Sequence, residues 1–120
     1  AMARRLCERR LLQAGAVVTS FVDSAAALHA LAAASPHICL VDVHLEHETG
    51  LRAAANLRTA GFRGMLAFLT ATPELVDGKA AALLRADSIL SKPPELSALV
   101  RLLETARNQP TLEFARTRRA

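Results

Sequence analysis

The chain has no tryptophan and no tyrosine, and phenylalanine occurs only four times in 120 residues. No aromatic platform therefore accompanies its basic clusters, which removes the stacking surface on which single-stranded nucleic acid is read. Cysteine is equally scarce: Cys7 and Cys39 stand alone, without the C-x-x-C spacing of a metal or redox site. Both read as reduced packing residues of a cytosolic protein. No apolar run approaches the ~20 residues that cross a bilayer, and Arg4 to Arg10 exclude a signal-peptide core at the N-terminus. A cytoplasmic chain without a membrane partner is expected. Internal repeats and low-complexity tracts are also lacking, and the length fits one domain with no room for a separate DNA-binding or catalytic unit.

What is abundant is alanine and leucine. The hydrophobic fraction is 52%, so the core is aliphatic and the chain helix-rich. The formal charge of +4 comes from arginines near the two ends, Arg4, Arg5, Arg9 and Arg10, then Arg116, Arg118 and Arg119. Glu8 interrupts the first cluster and the second is a tail, so both read as solvated and nucleic acid is not an expected partner.

One stretch organises the rest. Ile38-Cys39-Leu40-Val41-Asp42-Val43 is an unbroken apolar run closed by a carboxylate, with Gly50 eight residues beyond Asp42. Such a run reads as a strand buried on both faces of a parallel sheet, and an acid at its C-terminal end lies where ligands bind in open α/β sheets. Met65 to Leu69, ending at Thr70, and Ser88 to Leu90, ending at Ser91-Lys92-Pro93, repeat the arrangement. Side by side, the three ends bring a carboxylate, a hydroxyl and an ammonium to one pocket. That set suits a phosphoryl group, with Asp42 as nucleophile and Thr70 and Lys92 as donors to its oxygens.

The remaining segments alternate around these strands. Ala3, Leu6, Cys7, Leu11 and Ala14 recur at helical spacing before Gly15. Val17 to Phe21 reads as a strand and Asp23-Ser24 as the cap of an alanine-rich helix to about Ala34, stopped by Ser35-Pro36. His44 to Gly50 is a polar loop, and Leu51 to Ala60 is a helix closed by Gly61. Pro73 to Arg85 forms the next helix, weakened in its middle by Gly78. Pro93-Pro94 opens the last, with Leu96, Leu99, Val100 and Leu103 as its apolar stripe. Residues 1–108 read as one domain and 109–120 as a tail or linker, with Leu112, Phe114 and Ala115 its only apolar residues.

In order and spacing, Asp42-Val43-His44-Leu45 with Gly50, Leu69-Thr70-Ala71, and Ala86-Asp87-Ser88-Ile89-Leu90-Ser91-Lys92-Pro93 resemble the receiver domain of bacterial response regulators. The resemblance implies a flavodoxin-like, doubly wound parallel sheet. It implies a non-enzymatic signalling module that takes a phosphoryl group onto Asp42 from a histidine kinase or phosphotransfer protein. Mg²⁺ would be the required ion, held by Asp42 and the His44 backbone carbonyl. The Lys92-Pro93 bond would be cis, Thr72 and His44 would sit where hydrolysis of the phosphoryl group is tuned, and helix 73–85 with the strand after it would be the face partners read.

The sequence departs from the family in identifiable ways. Receivers open on an apolar strand closed by two adjacent acids that hold Mg²⁺, whereas Ala1-Met2-Ala3-Arg4-Arg5 lies already in the first helix. The expected sheet thus lacks its first, central strand. A four-stranded form that self-associates through its exposed edges, by pairing or swapping, is the expectation. Glu46 stands where a proline is usual and Ile89 where an aromatic is. Glu46 or Glu48 would partly replace the absent acids. His44, His47, Glu46 and Glu48 also offer a transition metal four ligands within five residues, although a solvated loop is the reading adopted. His29 and His37 read as surface residues. The alternative function is a pseudo-receiver, a protein- or ligand-binding module that keeps the scaffold without taking phosphate.

Overall fold

A computed structural model describes residues 2–33, 36–45 and 48–108. The fold is α/β, with a parallel sheet of three strands among the described residues: β1 (Ile38–Asp42), β2 (Met65–Thr70) and β3 (Ser88–Ser91), in the order β1-β2-β3. Ile38 pairs with Met65 and Asp42 with Leu69, while Ala67 pairs with Ser88 and Thr70 with Ser91. Every residue of β2 is buried, as a strand with a neighbour on each side and helices on both faces must be.

The two-residue period of the strands sorts the core into two layers. Leu66 and Phe68 of β2 join Val41 of β1 in packing against Ala53, Ala54 and Leu57 of α3 (Gly50–Thr59) and Ala81 of α4 (Gly78–Leu83). Ala27, Leu28 and Leu31 of α2 (Ser24–Ala33) cover the same side. Met65 and Ala67 point the other way, with Ile38, Leu40 and Leu90, onto Leu102 and Ala106 of α5 (Leu96–Arg107). α1 (Met2–Gln13) packs beside α5, and Arg10 Nη1 donates to the Pro94 carbonyl at 2.5 Å. Helices thus lie on both faces of the sheet.

Helix ends follow the sequence where a local signal exists. Gly15, at φ +91°, turns the chain out of α1. Thr49 Oγ1 caps α3 by accepting from Arg52 N at 3.1 Å, and Asp77 Oδ1 caps α4 by accepting from Lys79 N and Ala80 N. One unanticipated tie is Arg58. Its guanidinium donates to the carbonyls of Phe62, Gly64, Leu84 and Arg85, closing the C-terminal ends of α3 and α4 together, and it stacks over the Phe62 ring at 5.3 Å. Arg85 takes a left-handed φ of 58° in this turn.

Three expectations need correction. Val17 to Phe21 is irregular rather than a strand, and Val17 is 99% exposed. A strand exists by pairing, and no described strand lies beside this segment, so its β-branched residues have nothing to bond to. The expected four strands are accordingly three among the described residues. The helix expected over 73–85 is a 3-10 turn (Pro73–Leu75), an extended residue at Val76, and then α4. Asp77 captures the amides that a continuous helix would have used, so Gly78 is the first residue of α4 rather than a weak point in its middle. The last helix starts at Leu96, two residues after the expected Pro93-Pro94 opening. The tail 109–120, with Arg116, Arg118 and Arg119, and also Ala34, Ser35, Glu46 and His47, lie outside the described residues.

Candidate functional site

Three parallel strands necessarily end on one edge of the sheet, and Asp42, Thr70 and Ser91 are the last residues of β1, β2 and β3. Lys92 follows directly, its backbone N–H donating to the Thr70 carbonyl at 2.9 Å and so carrying the ladder one step past β3. The Lys92-Pro93 bond is cis, and the chain then turns away into the buried Pro94.

The structure joins Asp42 and Lys92 directly. Lys92 Nζ donates to Asp42 Oδ2 at 2.5 Å, and the His44 amide donates to Asp42 Oδ1 at 2.9 Å. Their side chains remain 25% and 30% exposed, for Lys92 and Asp42 respectively, so the pair is open to solvent. Thr70 lies on the strand between them, almost fully buried, with its Oγ1 accepting from the Thr72 amide at 3.1 Å. The Thr72 hydroxyl lies 3.4 Å from the same oxygen, so Thr72 fixes Thr70 through both its amide and its side chain.

The loop leaving Asp42 is closed on itself. Gly50 N donates to the Val43 carbonyl at 2.8 Å and His44 bridges Thr49. A β-carbon on Gly50 would lie 2.4 Å from the Asp42 carbonyl oxygen and 2.6 Å from Val43 Cα. Glycine eight residues after Asp42 is thus required by backbone contact, a reason its spacing alone does not reveal.

The polar residues of this loop are differently placed than expected. Glu48 was expected to help replace the absent acids, but its carboxylate turns to α2, where it accepts from Ser24 N at 2.7 Å and from Ser24 Oγ at 3.1 Å. Sequence reasoning missed that bond because Ser24 and Glu48 lie far apart in the chain. Glu46 lies outside the described residues. His29, His37 and His44 are exposed. Among the described residues no group of three or more His, Cys, Asp or Glu side chains could hold a metal ion. Asp42 and the His44 carbonyl are the donors left for Mg²⁺. Mg²⁺ keeps several waters in its octahedral shell, so one carboxylate and one carbonyl are a sparse set that would hold it only with water completing the shell.

Across the sheet, a groove of about 310 Å³ lies between α4 and β3, lined by Gly78, Ala81, Ala82, Ala86, Asp87, Ser88 and Ile89. Leu83, on α4, is 85% exposed. No helix among the described residues is long and apolar enough to cross a membrane.

Solved structures share this architecture. A protein described as a response regulator from Chloroflexus aurantiacus J-10-fl superposes with a TM-score of 0.75 at 22% identity, over 90% of each chain. The receiver domain of NtrX from Brucella abortus gives 0.71 at 18% identity, over 86% of this chain and 88% of that one. Full-length ShkA in complex with AMPPNP gives 0.74 at 27% identity; the match covers 89% of this chain but 22% of ShkA. No protein of curated function matches at a significant level. The sequence profile of the response regulator receiver domain matches residues 1–104. With that match over most of its length, and a doubly wound sheet whose strand ends carry Asp42, Thr70 and Lys92, the chain belongs to the response regulator receiver domain family.

Proposed function

We propose that the chain accepts a phosphoryl group on Asp42 from a histidine kinase or phosphotransfer protein, with residues 1–108 as the receiver unit. The observation that supports this is the Asp42–Lys92 pair at a solvent-open strand edge, with the Thr70 hydroxyl on the strand between. A carboxylate oxygen of Asp42 attacks the phosphorus of a phosphohistidine, a P–O bond forms as the P–N bond breaks, and the imidazole leaves with the electron pair and takes up a proton from solvent. The product acyl phosphate carries more negative charge than the carboxylate it replaces. The Lys92 ammonium, already against Asp42, and the Thr70 hydroxyl become donors to the phosphoryl oxygens. Mg²⁺, which the family typically binds at this site, would be held by Asp42 and the His44 carbonyl and would supply charge neutralisation.

Incubation with acetyl phosphate and Mg²⁺, followed by intact mass spectrometry, tests the proposal. The wild type gains the mass of one phosphoryl group and Asp42→Asn gains none. A folded wild-type chain that gains nothing would overturn it and favour a second reading, a pseudo-receiver that binds a protein or ligand without taking phosphate. The sparse donor set that the described residues offer a divalent ion is the observation on the side of that reading.

Output is proposed to run through the groove between α4 and β3, and through self-association. Among the described residues β1 has a strand on one flank only, and Val17 and Val22 are exposed at 99% and 64%. An unpaired strand edge and exposed apolar side chains are both surfaces that a second copy covers. Light scattering should give a dimer that Val17→Glu together with Val22→Glu returns to monomer.

A further inference from the structure

The loop that leaves Asp42 ends in two residues that each close a different helix. Thr49 Oγ1 caps α3, and Glu48 reaches across to α2. The first-turn amides of α2 are shared between two carboxylates: Asp23 Oδ1 accepts from Ala26 N at 2.9 Å, and Glu48 Oε1 accepts from Ser24 N at 2.7 Å. α2 has no acidic residue in its own first turn, so Glu48 supplies from elsewhere in the chain both a hydrogen-bond acceptor and a negative charge at the positive end of the helix. Ser24 is 6% exposed, and its hydroxyl also accepts from Asn56 Nδ2 of α3 at 3.1 Å. Loop, α2 and α3 therefore meet at one serine.

The other end of this loop is bonded to the reacting group. The His44 amide is held on Asp42 Oδ1, and His44 is itself bridged to Thr49, the residue next to Glu48, while Gly50 N is bonded to the Val43 carbonyl. A change of charge at Asp42 that draws or releases the His44 amide acts through that bridge on Thr49 and Glu48, and so on α2. We infer that Glu48 is a positioning residue that couples the state of the Asp42 carboxylate to the first turn of α2, so that Asp23 and Ser24 form a second readout of the site, separate from the residues that line the α4–β3 groove. The physiological trigger rests on the reading of Asp42 as phosphoryl acceptor; the coupling itself does not need phosphoryl transfer to be measured.

Coupling is reciprocal, which makes both directions observable. In the ¹⁵N-labelled full chain, Asp42→Asn removes the charge without any phosphoryl donor. The Ser24 and Ala26 amide resonances should move and their hydrogen exchange should change by about fivefold. Placed in a Glu48→Ala background, the same substitution should leave them still. In the other direction, Glu48→Ala and the milder Ser24→Ala should each shift the His44 amide, and Glu48→Gln, which keeps an acceptor for Ser24 N, should restore most of its position. A purely structural cap would loosen α2 yet leave the His44 resonance and the response to Asp42→Asn intact, and that result overturns the inference. Should Glu48→Ala not fold, Ser24→Ala and Asn56→Ala carry the same test. If acetyl phosphate fails to modify Asp42 while these resonances still move together, the proposed function falls and the coupling stands; the opposite pattern removes the coupling alone.

Discussion

Lys92 Nζ lies 2.5 Å from Asp42 Oδ2 although fifty positions separate the two in the chain. Both side chains keep contact with water, so the pair adds little to stability, on the order of 1 kcal/mol or less. Its effect on the proposed phosphoryl transfer would be larger, because a fixed cation where phosphoryl charge accumulates counts for more than the same cation in a resting ion pair. Lys92→Met should therefore leave the urea midpoint nearly unchanged while slowing phosphoryl uptake from acetyl phosphate about a hundredfold. Stopped-flow or mass-resolved time courses check the second quantity, and circular dichroism in urea the first.

Gly50 and Gly78 make a matched pair of substitutions. At Gly50 a methyl group would meet the Asp42 and Val43 backbone at 2.4 and 2.6 Å, and backbone in a closed loop cannot step aside. Gly50→Ala should cost about 2 kcal/mol or more. At Gly78 a β-carbon meets nothing within 4 Å, so Gly78→Ala should be neutral or stabilise by roughly 0.5 kcal/mol through the lost freedom of the unfolded chain. Urea denaturation of both variants checks the contrast.

Arg58 should be replaceable by neither alanine nor lysine. A lysine ammonium cannot reach the carbonyls of Phe62, Gly64, Leu84 and Arg85 at once, and it forfeits the planar stack on Phe62. Burial, with Arg85 beside it, already pulls the Arg58 pKa below its ordinary value, so this charge is retained at a cost that only its bonds offset. Arg58→Lys should destabilise by about 2 kcal/mol, with earliest loss of amide protection at Leu84 to Ala86. Hydrogen exchange locates that loss.

These residues also mark what sequence could and could not supply. Asp42, Thr70 and Lys92 were legible because strand ends are set by local apolar runs, and parallel strands bring their ends together without further information. Which face Leu66 and Phe68, or Met65 and Ala67, would take was not legible, because an unbroken apolar run looks alike on both faces. Nor were Arg58 and Glu48, since each acts on backbone groups tens of residues away and looks locally like a solvated charge. Val17 to Phe21 failed for the complementary reason: β-branched composition states a preference, and a preference without a pairing partner makes no strand. Pro73 to Arg85 failed because the competing cap at Asp77 outweighed helical periodicity.

Cys39 gives a pH dependence of definite sign. Burial pushes its thiol up from the ordinary 9.0 to about 11, with Arg58 a smaller opposing influence. The folded chain keeps a proton that the unfolded chain releases, so this contribution is complete below pH 9.0 and disappears as pH rises toward about 11. The stability advantage of the wild type over Cys39→Ala, read from urea melts, should be constant at pH 7 to 8 and shrink between pH 9 and 11. Cys7, raised by burial and Glu8, stays in both proteins and cancels.

Among the described residues β2 is bonded along both flanks, while β1, which bears Asp42, is bonded along one. Asp42 therefore stands on the outer of the described strands, and whatever docks along that flank would govern how much water reaches the carboxylate. The lifetime of the proposed acyl phosphate would then be a property of the assembly, longer when the flank is covered and shorter when it is bare, so the chain would keep time by the company it holds.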